Sequence, residues 1–201
     1  MCAKNVKTPI SERDIRDLKV GDIIHLSGIV ITARDKAHMR MLRFLAEGKR
    51  LPLNLKGSAL YHCGPLVRKE EGRWIVVAAG PTTSMRMDTF EGEIIKNFGV
   101  RLVIGKGGMG EKTEEAMKKF GAAYAVFTGG AAVLAARSVK RVRDVKWLDL
   151  GMPEALWVFE VENFGPLTIA IDAYGDNLFE RVRRRAEEKK RGIYRKLNLQ
   201  P

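Results

Sequence analysis

Two apolar runs constrain this chain more than any other feature. Trp74-Ile75-Val76-Val77-Ala78-Ala79 stops at Gly80-Pro81 and is followed by Thr82-Thr83-Ser84-Met85-Arg86. Val100 to Ile104 stops in Gly105-Lys106-Gly107-Gly108-Met109-Gly110. Short apolar runs bounded by turn residues read as buried strands. The ends of such strands in α/β folds are where ligands bind. Small-residue loops expose backbone N–H groups, and an adjacent Arg or Lys adds charge, a combination that suits an anion.

The middle of the chain alternates strand and helix. Helices are predicted over about 89–97, ending at Gly99, and over 111–120, ending at Gly121; 122–127 is a third apolar strand. Thr128-Gly129-Gly130-Ala131-Ala132 then leads into a small-residue helix. Upstream, Asp22 to Thr32 has strand character, and Asp35 is placed to cap a helix over Lys36 to Glu47. Leu51 to Leu55 and Ser58 to His62 are short strand candidates. Glu70-Glu71-Gly72-Arg73 reads as a hairpin-like turn into the strand at Trp74. Leu156 to Glu162 and Leu167 to Ala173 read as two strands joined by a hairpin turn at Asn163-Phe164-Gly165-Pro166. Residues 1–10 read as a loose arm, and 177–201 as a basic C-terminal helix and tail. With both flanks richer in hairpins than the middle, the expectation is one α/β domain over 1–201, a mixed sheet with helices in β/β/α layering.

Composition excludes several classes. No apolar run approaches the roughly 20 residues of a membrane span, and residues 1–13 hold no apolar signal region, so a cytoplasmic protein is expected. The two cysteines, Cys2 and Cys63, have no metal-site spacing and are too few for an iron–sulfur cluster; Cys63 reads as a small buried hydrophobe. The net charge of +12 raises the prospect of a polyanionic partner. Much of that charge sits in the last helix, and aromatics are not interleaved with it as single-strand binders require. A solvated face, or one meeting an acidic partner, accounts for it better than nucleic acid does.

Candidate residues cluster at the predicted strand ends. Arg34 stands where a helix begins, a mildly unfavourable place for a cation. Thr82 and Thr83 read either as helix caps or as ligand contacts, and Arg86 shares a face with Thr82 if the turn is helical. Lys106 lies in neither a P-loop nor a dinucleotide-binding pattern, which leaves a tight turn with an exposed lysine or an anion contact. His25, His38 and His62 are scattered, without metal spacing or an evident acid partner, though His38 lies one helical turn from Arg34. Two arginines that can each grip a carboxylate, with a lysine beside them, suit a dicarboxylate better than a single phosphate.

Four segments occurring in order carry a resemblance: Thr32-Ala33-Arg34-Asp35-Lys36-Ala37-His38, Ala79 to Asp88, Gly105-Lys106-Gly107-Gly108-Met109, and Gly129-Gly130-Ala131-Ala132. Over about residues 10–195 the chain resembles the C-terminal domain, or separate β subunit, of class I (iron–sulfur) fumarate hydratases and the related L(+)-tartrate dehydratases. The resemblance implies a swivelling β/β/α domain and a partner α subunit that holds a 4Fe–4S cluster, in an α2β2 heterotetramer. It implies substrate contacts from Arg34, Thr83, Arg86 and Lys106, Thr82 as candidate catalytic base, and no metal ligand in this chain. The implied reaction is reversible hydration of fumarate to L-malate, with L(+)-tartrate dehydration as the alternative. The chain would be inactive without its partner. Two other readings stay open: a basic nucleic-acid-binding module acting through the last helix, and a regulatory domain that binds a dicarboxylate without turnover.

Overall fold

A computed structural model describes residues 3–197. The elements run β1 (Lys4–Lys7), α1 (Glu12–Arg16), β2 (Ile23–Thr32), α2 (Asp35–Ala46), β3 (Ala59–Tyr61), β4 (Leu66–Glu70), β5 (Arg73–Ala78), α3 (Asp88–Phe98), β6 (Leu102–Gly105), α4 (Glu111–Phe120), β7 (Ala123–Val126), α5 (Ala132–Arg137), β8 (Val139–Lys146), β9 (Leu156–Ile171) and α6 (Leu178–Lys196). Seven strands form one mixed sheet in the order β1-β2-β3-β6-β7-β9-β8. β1, β2, β3, β6 and β7 are parallel neighbours. β9 runs antiparallel to β7 and β8, and also to β2, so the pairings close back on themselves.

The sequence explains why both faces of this sheet are covered. Along β3 and β6, side chains alternate between two apolar clusters. Ala59, Tyr61, Leu102 and Ile104 join one, and Leu60 and Val103 the other, as a period of two requires. The first cluster packs Trp157, Phe159 and Phe164 against Val67, Trp74 and Val76 of the β4–β5 hairpin. The second packs the sheet against Ala37 and Met41 of α2, Ile94 and Ile95 of α3, and Ala116 and Met117 of α4. Hairpin, sheet and helices are the expected β/β/α layers. Each fully buried large side chain contributes about 1.5–3 kcal/mol, and parallel strands covered on both faces lack the alternating polar pattern of a half-exposed sheet.

Several expectations need correction. The segment read as a loose arm contains β1, which pairs in parallel with β2 from Lys4↔Ile24 to Lys7↔Ser27. Ladder hydrogen bonds are made by the backbone, so a stretch with Val6 as its only buried strand residue gives no side-chain signal. The run at Trp74 is not a buried strand of the main sheet. It is β5, paired only with β4, with Ile75 and Val77 turned outward and Trp74 packed edge-on against Trp157 at 5.1 Å.

The predicted hairpin at Asn163–Pro166 is also absent. β9 passes through it as one strand, because β2 lines up with both halves, from Val30↔Phe159 through Leu26↔Phe164 to Ile23↔Thr168. The turn residues mark register shifts instead, with Phe164 buried in the core. Leu51–Leu55 forms no strand, and the charged segment Val139–Lys146 forms the edge strand β8. Cys2 and the last four residues of the expected tail lie outside the described residues.

Candidate functional site

Four parallel strands deliver their carboxyl ends to one edge. β2 ends at Thr32, followed by Ala33-Arg34; β3 ends at Tyr61, followed by His62-Cys63-Gly64; β6 ends in Gly105-Lys106; β7 leads to Thr128-Gly129-Gly130. The Thr82 segment reaches this edge from the hairpin layer and is stitched in by backbone bonds. The Thr82 N–H donates to the His62 carbonyl at 2.7 Å, the Ser84 N–H to the Lys106 carbonyl at 3.0 Å, and the Lys106 N–H to the Thr82 carbonyl at 3.3 Å. Residues 82–84 thus act as a short extra strand beside Lys106. The Lys106 stem runs toward Gly129, where an added Cβ would sit 3.7 Å from Lys106 Cδ.

The five predicted residues fall into two groups on this edge. Thr82, half-buried, and Thr83, exposed, share the ladder with Lys106. Thr83 occupies the N-cap position of the 3₁₀ turn Ser84–Met87, yet its hydroxyl makes no capping bond. The cap reading is therefore wrong, and Thr82 lies before the turn rather than on a shared helical face with Arg86. Arg34 and Arg86 meet at Asp35. Arg86 grips the Asp35 carboxylate with two prongs, at 3.0 Å from Nε and 2.7 Å from Nη2. Arg34 Nε lies 3.4 Å from Glu154 and 4.0 Å from Asp35. Asp35 is the first residue of α2 rather than its cap, since its carboxylate is committed to Arg86.

Sequence reasoning missed three contributors. Asp35 and Glu154 neutralise part of the cationic charge, so the two arginines and Lys106 offer about one net positive charge. Gly64, two residues past the strand candidate Ser58 to His62, makes room for Arg34: a Cβ there would lie 2.6 Å from its guanidinium. The only signal for either was proximity of an acid or a glycine to a strand end, which many surface residues share.

Beneath the cations lies a buried polar cluster that the spacing of the histidines concealed. His38, His62, Ser84 and Glu91 are all 0% exposed. His38 Nε2 and His62 Nε2 lie 3.0 Å and 2.9 Å from the same oxygen, Glu91 Oε2. Both histidines therefore have an acid partner, contrary to the sequence reading. His38 Nδ1 faces the Arg34 carbonyl at 2.8 Å, which only accepts, so that nitrogen carries a proton. Facing a carboxylate as well, Nε2 carries one too. Burial pushes the His38 pKa down, but the Glu91 hydrogen bond and charge outweigh it and raise it above 6.5. For His62 burial prevails over the help from Glu91, and its pKa is lowered. Burial would raise Glu91, but the bonds from both imidazoles bring it down to about 2 from the usual 4.5.

The donor set His38, His62 and Glu91 is also of a kind that binds metals, with ligand atoms within 4.8 Å of one another. Each of these atoms already sits at hydrogen-bond distance from its neighbour, and a cation would have to displace both Nε2 protons. Ser84–His62–Glu91 likewise has the hydroxyl–imidazole–carboxylate order of a nucleophilic triad. Ser84 is fully buried and accepts from Tyr124 O–H at 2.9 Å, so no substrate reaches it. Cys63 is a buried free thiol whose pKa is pushed up by burial.

The Glu91 carboxylate sets a pH dependence. A pKa lowered on folding gives stability that is present above about 4.5 and lost as pH falls toward 2. His62, kept neutral, pulls the same way below 6.5. Replacing Glu91 with Gln is expected to cost on the order of 3 kcal/mol at pH 6 and much less at pH 3. Urea unfolding of both proteins at the two pH values checks this; an equal cost at both would contradict it.

A mixed sheet with two arginines, a lysine and two threonines gathered at the edge where its parallel strands end defines an α/β protein with a cationic cluster at that edge. The chain belongs to the fumarase C-terminus family, whose profile matches residues 3–182. It is 50% identical over 176 residues to the L(+)-tartrate dehydratase subunit beta of Escherichia coli K12, covering 87% of this chain and 86% of that protein. It is 44% identical to the putative L(+)-tartrate dehydratase subunit beta of Methanocaldococcus jannaschii, covering 90% and 93%. It is 42% identical to the putative fumarate hydratase class I of Geobacillus stearothermophilus, covering 92% of this chain and 35% of that protein. No helix among the described residues is long and apolar enough to cross a membrane.

Proposed function

We propose that this chain is the β subunit of a 4Fe–4S-dependent hydro-lyase that hydrates fumarate to L-malate reversibly. The observation that carries the reading is the joint placement of Arg34, Arg86 and Lys106 with Thr82 and Thr83 at one edge of the sheet. Arg34 and Arg86 suit the flat, two-oxygen geometry of a carboxylate. Lys106 supplies a point charge, and the Thr83 hydroxyl, free of a capping role, a further contact. In the dehydration direction Thr82 would take the proton from the carbon next to the one bearing the hydroxyl. The electron pair left behind forms the double bond as the C–OH bond breaks; the hydroxide leaves with the bonding pair, and with the proton taken up by the base it makes up the water released. The cations stabilise the charge that builds on the carboxylate meanwhile. A threonine hydroxyl works as a base only where positive charge favours its alkoxide, and Lys106 shares its ladder.

The iron–sulfur cluster does not fit this chain. A cluster takes three or four thiolates, whereas the sequence has two cysteines, of which Cys63 is fully buried with its thiol pKa raised. The cluster is assigned to an α subunit, in an α2β2 assembly. One net positive charge is too little for a dianion, which fits a site completed by a second chain. The grooves of about 350 and 490 Å³, along α3–α4 and beside Lys49–Lys56, do not touch the candidate residues.

L(+)-tartrate dehydration is the second reading, favoured by the 50% identity to a tartrate dehydratase β subunit. The two substrates differ in hydroxyls, which cations do not read. Anaerobic co-expression with a cluster-bearing α subunit tests both. Loss of fumarate absorbance in the mixture, and not with this chain alone, is the expected result. A cluster-loaded pair inactive on fumarate but active on tartrate would transfer the assignment; activity on neither would refute it.

A further inference from the structure

We infer that Glu91 is a positioning residue whose single buried carboxylate oxygen, through His38, His62 and Ser84, ties together the three loops that carry Arg34, Thr82–Arg86 and Lys106. The chain of contacts is continuous. His38 Nδ1–H donates to the Arg34 carbonyl at 2.8 Å, and His38 Nε2–H to Glu91 Oε2 at 3.0 Å. His62 Nε2–H donates to the same oxygen at 2.9 Å, while Ser84 Oγ–H donates to His62 Nδ1 at 2.9 Å. The Tyr124 hydroxyl is shared between Ser84 Oγ and the Gly107 carbonyl, both at 2.9 Å. One end is thus the Arg34 carbonyl, the middle is Ser84, and the other end is the carbonyl of Gly107, the residue after Lys106.

Two observations separate this from ordinary core filling. Apolar residues of similar volume commonly stabilise a core as well as a buried charge does, and without its desolvation penalty; here one buried carboxylate oxygen instead accepts from two imidazoles, and an ionised acceptor makes such bonds stronger than a neutral one does. Room is also kept for the relay: a Cβ on Gly105 would collide with Ser84 Oγ, so the strand end bearing Lys106 needs glycine for Ser84 to sit beneath it. Glu91 Oε1 is buried without a partner, so both imidazole bonds fall on Oε2. The loops are held at their roots by hydrogen bonds of fixed direction, none of which engages the Arg34 or Arg86 guanidinium or the Lys106 ammonium.

The loop-holding claim stands on geometry alone; its catalytic consequence rests on the proposed hydro-lyase site. The test uses the full chain and its complex with the α subunit. In Glu91→Gln, which keeps the shape and an acceptor, amide hydrogen exchange is expected to quicken at Arg34, Ser84 and Lys106 together. The His38 ring should lose its second proton, read from imidazole ¹⁵N shifts at pH 7.5. In the complex kcat should fall on the order of 10–100-fold with KM changed much less, the signature of misplaced groups. Ser84→Ala should quicken exchange at Lys106 and leave the His38 shifts in place. Glu93→Gln, on the exposed face of the same helix with its carboxylate toward Lys96, is the control and should change neither readout. Unchanged exchange at the three loops in a folded Glu91→Gln would overturn the inference. So would one equivalent of bound metal in the purified wild type that Glu91→Gln loses. If the wild-type complex turns over neither substrate, the functional reading fails, while exchange and ¹⁵N shifts still decide the positioning role.

Discussion

Thr82→Val is expected to abolish turnover in the assembled complex while leaving the fold and dicarboxylate binding nearly intact. The two side chains have the same shape. The bonds that hold Thr82 in place are made by its backbone, to the His62 carbonyl and from the Lys106 N–H, and valine keeps them. What valine lacks is the hydroxyl. Removing a positioned base costs about 10²–10⁴-fold in rate, so kcat should fall by that amount with KM little changed. Steady-state fumarate absorbance gives kcat, and calorimetry with malate gives binding. A variant within tenfold of wild type would move the base to another residue, in this chain or the partner. Normal malate binding with lost turnover would also dispose of the non-catalytic regulatory reading.

Arg34→Ala is expected to be the most damaging change among the cations. A charge-assisted contact to developing negative charge in a water-poor site is worth about 3–4 kcal/mol, or 10²–10³-fold in rate. The Arg34 side chain is 22% exposed, between Glu154 and Asp35, and Gly64 makes space for it. Arg86 is 50% exposed and already bound to Asp35, so a substrate carboxylate has to share or displace that partner. Arg86→Ala should therefore cost less than Arg34→Ala. Arg34→Lys should recover little, because an ammonium cannot present two parallel donors. Measuring kcat/KM for the three variants in the complex checks the order. Equal losses for Arg34→Ala and Arg86→Ala would mean that Asp35 leaves Arg86 when substrate binds.

The candidate site was readable in the sequence to an uneven degree. Lys106 was placed correctly, because an apolar run stopped by Gly-Lys-Gly-Gly is a local signal of a strand end. The signal at Thr82 and Arg86 is partly misleading: the strand before them belongs to the hairpin layer, Thr82 reaches the site through backbone bonds to His62 and Lys106, and Arg86 through its side-chain grip on Asp35. The Asp35 grip on Arg86 spans 51 residues, and the Glu91 bond to His38 spans 53. Nothing periodic links positions so far apart. The same holds for β9, whose turn-like Asn163-Phe164-Gly165-Pro166 was overridden by pairing with β2 on both sides.

The sequence by itself determined the local elements and their chemistry. Apolar periodicity set the helices α2, α3 and α4 and the buried strands β6 and β7, and glycines set where several of them stop. The ordered short motifs around Arg34, Thr82, Arg86 and Lys106 determined the family. Only the tertiary structure decided which strands became neighbours, which side chains met, and which charges were already paired. Those are outcomes of long-range backbone hydrogen bonding and burial. They depend on residues distant in the chain sharing one low-dielectric space, and no spacing along the chain encodes that directly.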